Sequence, residues 1–376
     1  MAFSRPMRIR GLLLAGIAGA ALVLAGCTGP VGDIAPAADE EEGSAAVVDA
    51  MNPVTEVEGP TEAFEQPAGK HILVLYCGSA GQGCVDEGNE TKRVAESLGW
   101  KVDMVDGKLD PTVWNQAVKQ AADAGVDGII SVSSDPNLMS EAMDIVAAKD
   151  IPFVLTAQYP TDDDVKGIDA YIAPDPVVGG EDIADWVVAD SQGKANILLL
   201  DLPGYYSAMT RTATIADKIG ADCPDCVVET ADITVSTMGT SLAPLVTSRL
   251  QQNPDIDYVL SPDDCCVSFV YQGIQQAGRT SNTKVISVGG FSDQLANLST
   301  GTLAADLATP NLYSSWLSVD SLGRIMAGQP VESYWPVPQR LWTSANISEA
   351  SQEVLDAGWN LDLDYEAMFG KLWETN

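Results

Sequence analysis

Asp110-Pro111-Thr112-Val113-Trp114-Asn115-Gln116-Ala117-Val118-Lys119-Gln120-Ala121-Ala122-Asp123-Ala124-Gly125 runs straight into Val126-Asp127-Gly128-Ile129-Ile130-Ser131-Val132, and that junction decides the fold. Asp110 carries a side chain suited to cap a helix, Pro111 fits its first turn, and Gly125 suits its end. Val113, Ala117, Val118, Ala121 and Ala124 recur at helical spacing and give one apolar face. Gly128–Val132 is then a short apolar run without polar alternation, as a strand covered on both faces requires.

The same alternation continues outward in both directions. His71–Tyr76 reads as a first strand, followed by a glycine-rich loop and a helix ending at Leu98-Gly99. Downstream the pattern predicts helix Asn137–Ala148, strand Pro152–Leu155, helix Gly179–Asp190, strand Asn196–Leu200, helix Met209–Ile219 and strand Val227–Ile233. Helix Ser241–Gln252, strand Tyr258–Leu260, helix Val267–Ala277 and strand Lys284–Val288 come next. A short helix, strand Leu303–Leu307 and helix Ser314–Ala327 complete the series. Apolar strands alternating with helices make an α/β protein with parallel sheets. So many strands divide better into two doubly wound sheets than one; a closed barrel is the competing solution. In open parallel sheets ligands bind beyond the carboxyl ends of the strands. The loops at those ends, 77–85, 133–136, 156–159, 201–209, 261–266, 289–293 and 308–311, are rich in Ser, Gln, Asp, Tyr and Gly and poor in Lys and Arg. Such groups suit a neutral polyol.

Charge narrows the partners. Among 376 residues, 53 acidic side chains face 20 basic ones, a net charge of −33. With no basic face, nucleic acid, anionic membranes and polyanionic ligands are disfavoured; the acidity also keeps a protein soluble. Arg5, Arg8 and Arg10 precede an uncharged apolar run, Gly11–Gly26, too short to span a membrane comfortably. It ends in Leu24-Ala25-Gly26-Cys27, which resembles the lipobox of bacterial lipoproteins. That resemblance makes residues 1–26 a signal peptide and Cys27 the site of lipidation, holding the protein to the outer face of the cell membrane; stable anchoring needs two or more acyl chains. Residues 27–69, rich in Pro, Gly, Ala and acids, are expected to be a flexible acidic tether.

Six cysteines remain, an even number in an exported chain, which argues for disulfides. Proximity favours Cys77 with Cys84, and Cys223 with Cys226. A redox-active Cys-x-x-Cys needs a helix N-terminus, whereas Cys223 follows a predicted helix. Cys265-Cys266 leaves three possibilities: a strained vicinal disulfide, reduced buried thiols, or cross-links to the first loop. Adjacent Cα atoms sit about 3.8 Å apart, closer than most disulfides allow. His71, the one histidine, leaves no room for a histidine-based triad or a multi-histidine metal site. No Gly-x-Ser-x-Gly elbow, phosphate loop or acid–base carboxylate pair stands out, so neither catalysis nor a metal or cofactor is expected.

Several segments, taken in order, resemble the ribose-binding type of periplasmic binding protein. Ala124–Ile130 looks like that family's helix-to-strand step, and Ile151-Pro152-Phe153-Val154 like its next strand. Asp175-Pro176-Val177-Val178-Gly179-Gly180 resembles its crossing into the second lobe. Ser261-Pro262-Asp263-Asp264 with Gly273–Gly278, then Lys284–Gly290, resemble the second-lobe loop, helix and strand. The resemblance runs from about Lys70 to Asn346. It implies two doubly wound lobes joined by a hinge crossed three times, near Ala173, Thr309 and Pro338. The first lobe would hold residues 70–173 and about 310–338, the second 174–309 and about 339–346, with 347–376 as an extension.

By the same resemblance the protein binds a small polar, sugar-like solute between closing lobes and delivers it to an ABC permease, as a monomer. From the first lobe, Ser79, Gln82, Ser134, Asp135 and Gln158 are the expected hydrogen-bonding residues. From the second, Tyr205, Tyr206, Arg211, Asp263, Asp264 and Phe291 are expected. The family's usual Asp-Arg pair is replaced by Ala157-Gln158, and its carboxylate after Val288-Gly289 by Gly290-Phe291. The fold therefore carries over better than a pentose or hexose ligand. A sensing module feeding a receptor and an extracellular glycoside hydrolase are the alternatives. A repressor on the same fold is excluded by the export signal.

Overall fold

In the computed structural model, which describes residues 38–161 and 165–373, Asp110 caps its helix as its sequence position predicts. Its carboxylate accepts from the Thr112 amide at 2.8 Å, Pro111 lies in the first turn, and Gly125 ends the helix at φ 72°. A left-handed φ of that kind suits glycine, and the chain turns there into the next strand. Residues 1–37, with the signal segment and Cys27, lie outside the described residues.

The elements follow in the order α1 Ala38–Met51, β1 His71–Tyr76, α2 Gln82–Ser97, β2 Lys101–Asp106, α3 Pro111–Ala124, β3 Gly128–Val132, α4 Ser140–Lys149, β4 Phe153–Thr156 and β5 Ala170–Ala173. The chain goes on through α5 Pro176–Asp190, β6 Asn196–Asp201, α6 Tyr206–Asp222, β7 Val227–Asp232, α7 Met238–Gln252, β8 Tyr258–Leu260 and α8 Val267–Gln276. It ends with β9 Lys284–Gly289, α9 Ser292–Thr300, β10 Ala305–Ala308, α10 Asn311–Met326, β11 Tyr334–Pro336, β12 Arg340–Thr343, α11 Gln352–Ala357 and α12 Tyr365–Leu372.

Two six-stranded sheets result, in the orders β11-β5-β4-β3-β1-β2 and β12-β10-β9-β8-β6-β7. The ladders are parallel except for β10 with β12. The chain passes between sheets three times, after β5, after β10 and between β11 and β12. This is the two-lobed α/β architecture with a triple hinge. Two of the crossings are tied together by the Gln339 side-chain amide, which donates to Thr309 Oγ1 at 3.1 Å. The Tyr334 hydroxyl donates to the Ala173 carbonyl at 3.0 Å beside the first crossing. Trp114 and Phe153 fill the first lobe's core, and Ile197, Leu199 and Ile286 the second's.

The segment from Ala38 to Gly69 departs from the expected free tether. Val47, Ala50 and Met51 pack on the second lobe's core. The Arg340 guanidinium and the Asn346 amide both donate to the Met51 carbonyl. Phe64 is buried beneath the Arg324 guanidinium, 4.3 Å from its ring centre, and its amide donates to the Leu372 carbonyl at 2.8 Å. Trp100 donates its indole N–H to the Pro67 carbonyl at 2.7 Å. The extension at the other end is ordered too: Phe369 and Trp373 stack on Trp316, with ring centres 5.9 and 5.2 Å apart. Too poor in apolar residues to make a core, these segments use the cores of the lobes, and that burial offsets their ordering entropy.

Phe64→Ala is therefore expected to lower stability by about 3 kcal/mol, the lower end for a buried Phe-to-Ala change. A body beginning at Lys70 should unfold at lower urea than one beginning at Ala38; equal midpoints would assign residues 38–69 no part in stability.

Candidate functional site

The loops leaving the carboxyl ends of both sheets enclose a cavity of about 440 Å³, within the range of small-molecule sites. Cys77, Gly83 and Gln158 come to it from the first lobe, and Tyr205, Asp263 and Phe291 from the second. Each hinge crossing adds a wall residue: Pro174, Thr309 and Gln339. The lobes touch at its rim. The Tyr159 amide donates to Ser207 Oγ at 2.8 Å, and the Tyr206 amide to Asp135 Oδ2 at 3.4 Å. Gly83 lies so near Phe291 that a Cβ there would come within 2.5 Å of the ring, so this approach needs glycine.

Of the expected binding residues, Gln158, Tyr205, Arg211, Asp263 and Phe291 line the cavity. The other six lie elsewhere, each for a local reason. Ser79 is exposed, and its backbone amide donates to Asp106. Gln82 binds Asp86 across one helical turn at 2.6 Å and faces a separate hollow of about 660 Å³. Ser134 is fully buried away from the wall. Asp135 accepts from the Asn137 amide at 2.8 Å, capping the turn that follows β3. Tyr206, half-buried, opens α6 next to the wall residue Tyr205. Asp264 points down instead, accepting from Ser287 Oγ at 2.6 Å and from the Phe291 amide at 2.9 Å. It thereby fixes the loop that presents Phe291.

The wall also holds residues that loop reading missed. Leu202, Val235, Met238 and Phe269 make the second-lobe side more apolar than the loops suggested, and Asn311 and Gln339 add amides. Glu87 comes from α2, not from a loop. It falls in register with the buried residues Thr91, Val94 and Ala95, so an acid on an apolar helical stripe was the available signal. Glu87 is 2% exposed and its Oε1 has no hydrogen-bond partner. Burial pushes its carboxyl up to about 8, against a small opposing effect of the Thr156 hydroxyl. Gln158 Oε1 and Arg211 Nε are likewise buried without a partner. The Arg211 guanidinium donates to the Pro262 carbonyl at 2.8 Å; burial lowers its pKa, while Asp263 and Asp201 oppose that. Orphaned polar atoms around one cavity are what a hydrogen-bonding ligand would satisfy.

Cys77–Cys84 and Cys223–Cys226 are disulfide-bonded, and the first pair stands on the cavity wall. Cys265 and Cys266 are free thiols with sulfurs 3.6 Å apart, the second also 3.5 Å from Met238 Sδ. Among the described residues no group of three His, Cys, Asp or Glu side chains is placed to hold a metal ion.

The buried acids set a pH dependence of stability. Burial and neighbouring Asp263 push Asp264 up to about 7, and burial with the nearby Asp264 carboxylate pushes Asp306 well above the usual carboxylate range. An acid whose pKa is higher folded than unfolded binds more protons in the folded state. Its contribution is full below the ordinary carboxylate pKa and is lost as pH rises through the folded value. The melting temperature is expected to fall between pH 5 and 8.5, and Glu87→Gln should flatten that fall. A melting temperature that rises over this range would contradict the assignment.

Known proteins share this architecture. The family model described as a periplasmic binding protein domain matches residues 78–330. The ribose import binding protein of Bacillus subtilis (strain 168) is 25% identical over 254 residues, 67% of this chain and 80% of the relative. An ABC transporter solute-binding protein of Agrobacterium vitis, solved with D-fucose, superimposes with a TM-score of 0.69 at 18% identity, over 77% of this chain and 100% of that one. A Mycobacterium smegmatis protein solved with β-D-fucofuranose gives 0.67 at 18% identity, over 82% and 98%. Two parallel lobes around one cavity, and a family match over most of the folded body, make this chain a member of the periplasmic binding protein family.

Proposed function

We propose that the protein captures a small hydroxyl-bearing solute, of sugar or polyol class, between its lobes outside the cytoplasm and presents the closed complex to an ABC importer. One observation carries this reading: the cavity takes walls from both lobes and from all three hinge crossings, so a ligand there touches every part that must move on closing. Ligand that contacts both lobes binds the closed form better than the open one, and that difference drives the hinge. Relatives with this fold are named for ribose import or were solved with fucose, which supports the ligand class.

Gln158, Asp263, Asn311 and Gln339 offer acceptors and donors for hydroxyl groups, while Tyr205 and Phe291 offer flat faces for the apolar side of a ring. Asp264 and Asp135 act behind the wall, the first by orienting Phe291, the second by meeting Tyr206 at the rim. Cys27, outside the described residues, would carry the lipid that keeps the body at the membrane, working as a monomer. Among the described residues no helix is long and apolar enough to cross a membrane.

The body from Ala38 onward should melt at higher temperature with at least one member of a panel of sugars and polyols, since ligand binding the folded state stabilises it. Asp263→Ala should weaken binding of that member by about 1.5–3 kcal/mol, the range for a hydrogen bond to a charged group. No shift with any panel member from folded protein would overturn the proposed ligand class. Unchanged affinity in Asp263→Ala would remove that carboxylate from the site.

A further inference from the structure

The charges on the cavity wall are not balanced. Arg211, on the second lobe, has Asp263 and Asp201 close enough to act on it and a carbonyl partner in Pro262. Its charge is partly answered within the protein, by those two acids and that carbonyl, although its Nε has no partner. Glu87, on the first lobe, has no such answer. Burial and the Thr156 hydroxyl are the influences on its titration; no charged side chain from β1, β2, β3 or α10, the elements packed on α2, acts on it. Ser315 on α10 donates to the backbone carbonyl of Glu87, not to its carboxylate. The side chain reaches the cavity with Oε1 unpartnered.

We propose that the captured solute carries an amino group, and that its ammonium pairs with the Glu87 carboxylate inside the closed cavity. The inference rests on the solute-capture reading above and narrows the ligand to amino sugars, aminocyclitols and related amino polyols. If neutral hydroxyl groups were the only partners, an amide would serve at this position without the cost of burying an ionisable group, and Gln158, Gln339 and Asn311 already supply amides to the wall. Of the groups on the wall, the carboxylates of Glu87 and Asp263 gain more from a cation than from a hydroxyl, and Asp263 already acts on Arg211 whereas no cation acts on Glu87. The net charge of −33 adds a long-range field that concentrates cationic solutes. The unpartnered Nε of Arg211 suits a hydroxyl oxygen of the same ligand.

The pairing moves a proton. At pH 7 the free protein holds Glu87 mostly as the neutral acid, because burial lifts its carboxyl to about 8. An incoming ammonium stabilises the carboxylate, so the acid loses its proton to buffer as the ion pair forms. A neutral polyol leaves that proton in place.

The test uses matched pairs on the body from Ala38 onward: glucosamine with glucose, galactosamine with galactose, mannosamine with mannose, and an aminocyclitol with its parent inositol. At least one amino member should bind tenfold or more tighter than its hydroxyl partner, and Glu87→Gln should abolish that preference. Calorimetry of the unaltered protein in two buffers of different ionisation enthalpy should show release of most of a proton with the amino member and none with its partner; this measurement stands even if Glu87→Gln fails to fold. Hydroxyl members binding as tightly as amino members, or amino binding without proton release, overturn the ammonium pairing and leave capture of a polyol standing. Folded protein that binds no member of any pair overturns both readings.

Discussion

Parallel strand pairing is the constraint from which the rest of this molecule follows. Each strand of a parallel ladder must be reached by a crossover over the face of the sheet, so every βα loop arrives at the same edge. The constraint operates twice here, in His71–Asp106 with Gly128–Ala173 and again from Asn196 to Ala308. Three crossings oppose the two loop edges, and the cavity is the space between them. Local bonds then set the details. Asp264 accepts from Ser287 on the strand and from the Phe291 amide in the loop, which turns the ring toward Gly83 of the other lobe.

Much of this was legible in the chain, and the illegible parts have physical causes. Asp110 to Val132 could be read because a cap, a helical stripe and an apolar strand agree about one junction. Lys101–Asp106 escaped because it is an edge strand whose polar residues interrupt any apolar run. Ala170–Ala173 and Tyr334–Pro336 are too short to carry a pattern of their own. At the site, the carboxyl-end rule located loops correctly but not side-chain directions. Ser134 and Asp135 occupy one of the chosen loops yet miss the cavity, Ser134 buried behind it and Asp135 at the rim against Tyr206, while Ala157 and Gln158 of another turn to the cavity. Glu87 was overlooked because the rule looks at loops, and it sits a full turn inside a helix.

Residues 38–69 illustrate a different limit. Their composition describes what the segment cannot do alone, which is to form a core. It does not describe what the segment gains from a core built by others. Phe64 finds Arg324 and the Leu372 carbonyl, and Met51 offers its carbonyl to Arg340, itself buried over Trp342 with Glu349 and Asp362 beside it. Arg340 thus joins the segment around Met51, the last strand of the second sheet and the extension beyond it. A buried guanidinium held by a carbonyl and two carboxylates is strongly orienting, and removing it would leave those partners unpaired.

The departures from the ribose-binding pattern and the orphaned Glu87 describe one rearrangement of charge. Where that pattern carries an Asp-Arg pair at a strand end, this chain has Ala157-Gln158, and where it carries a carboxylate after β9 this chain has Phe291. Those changes put an amide in place of a charged pair on the first lobe and an aromatic ring in place of a carboxylate on the second. Arg211 and Asp263 offset one another within the second lobe. Glu87, by contrast, is a buried carboxyl one turn inside α2 that lines the cavity and is kept protonated by its burial while the cavity is free. A charge in that position is nearly silent toward water and strongly responsive to a cation that arrives with its own water removed. Selectivity in such a site comes less from the number of hydrogen bonds than from which ligands can complete the groups the protein leaves incomplete, here Glu87, Gln158 and Arg211.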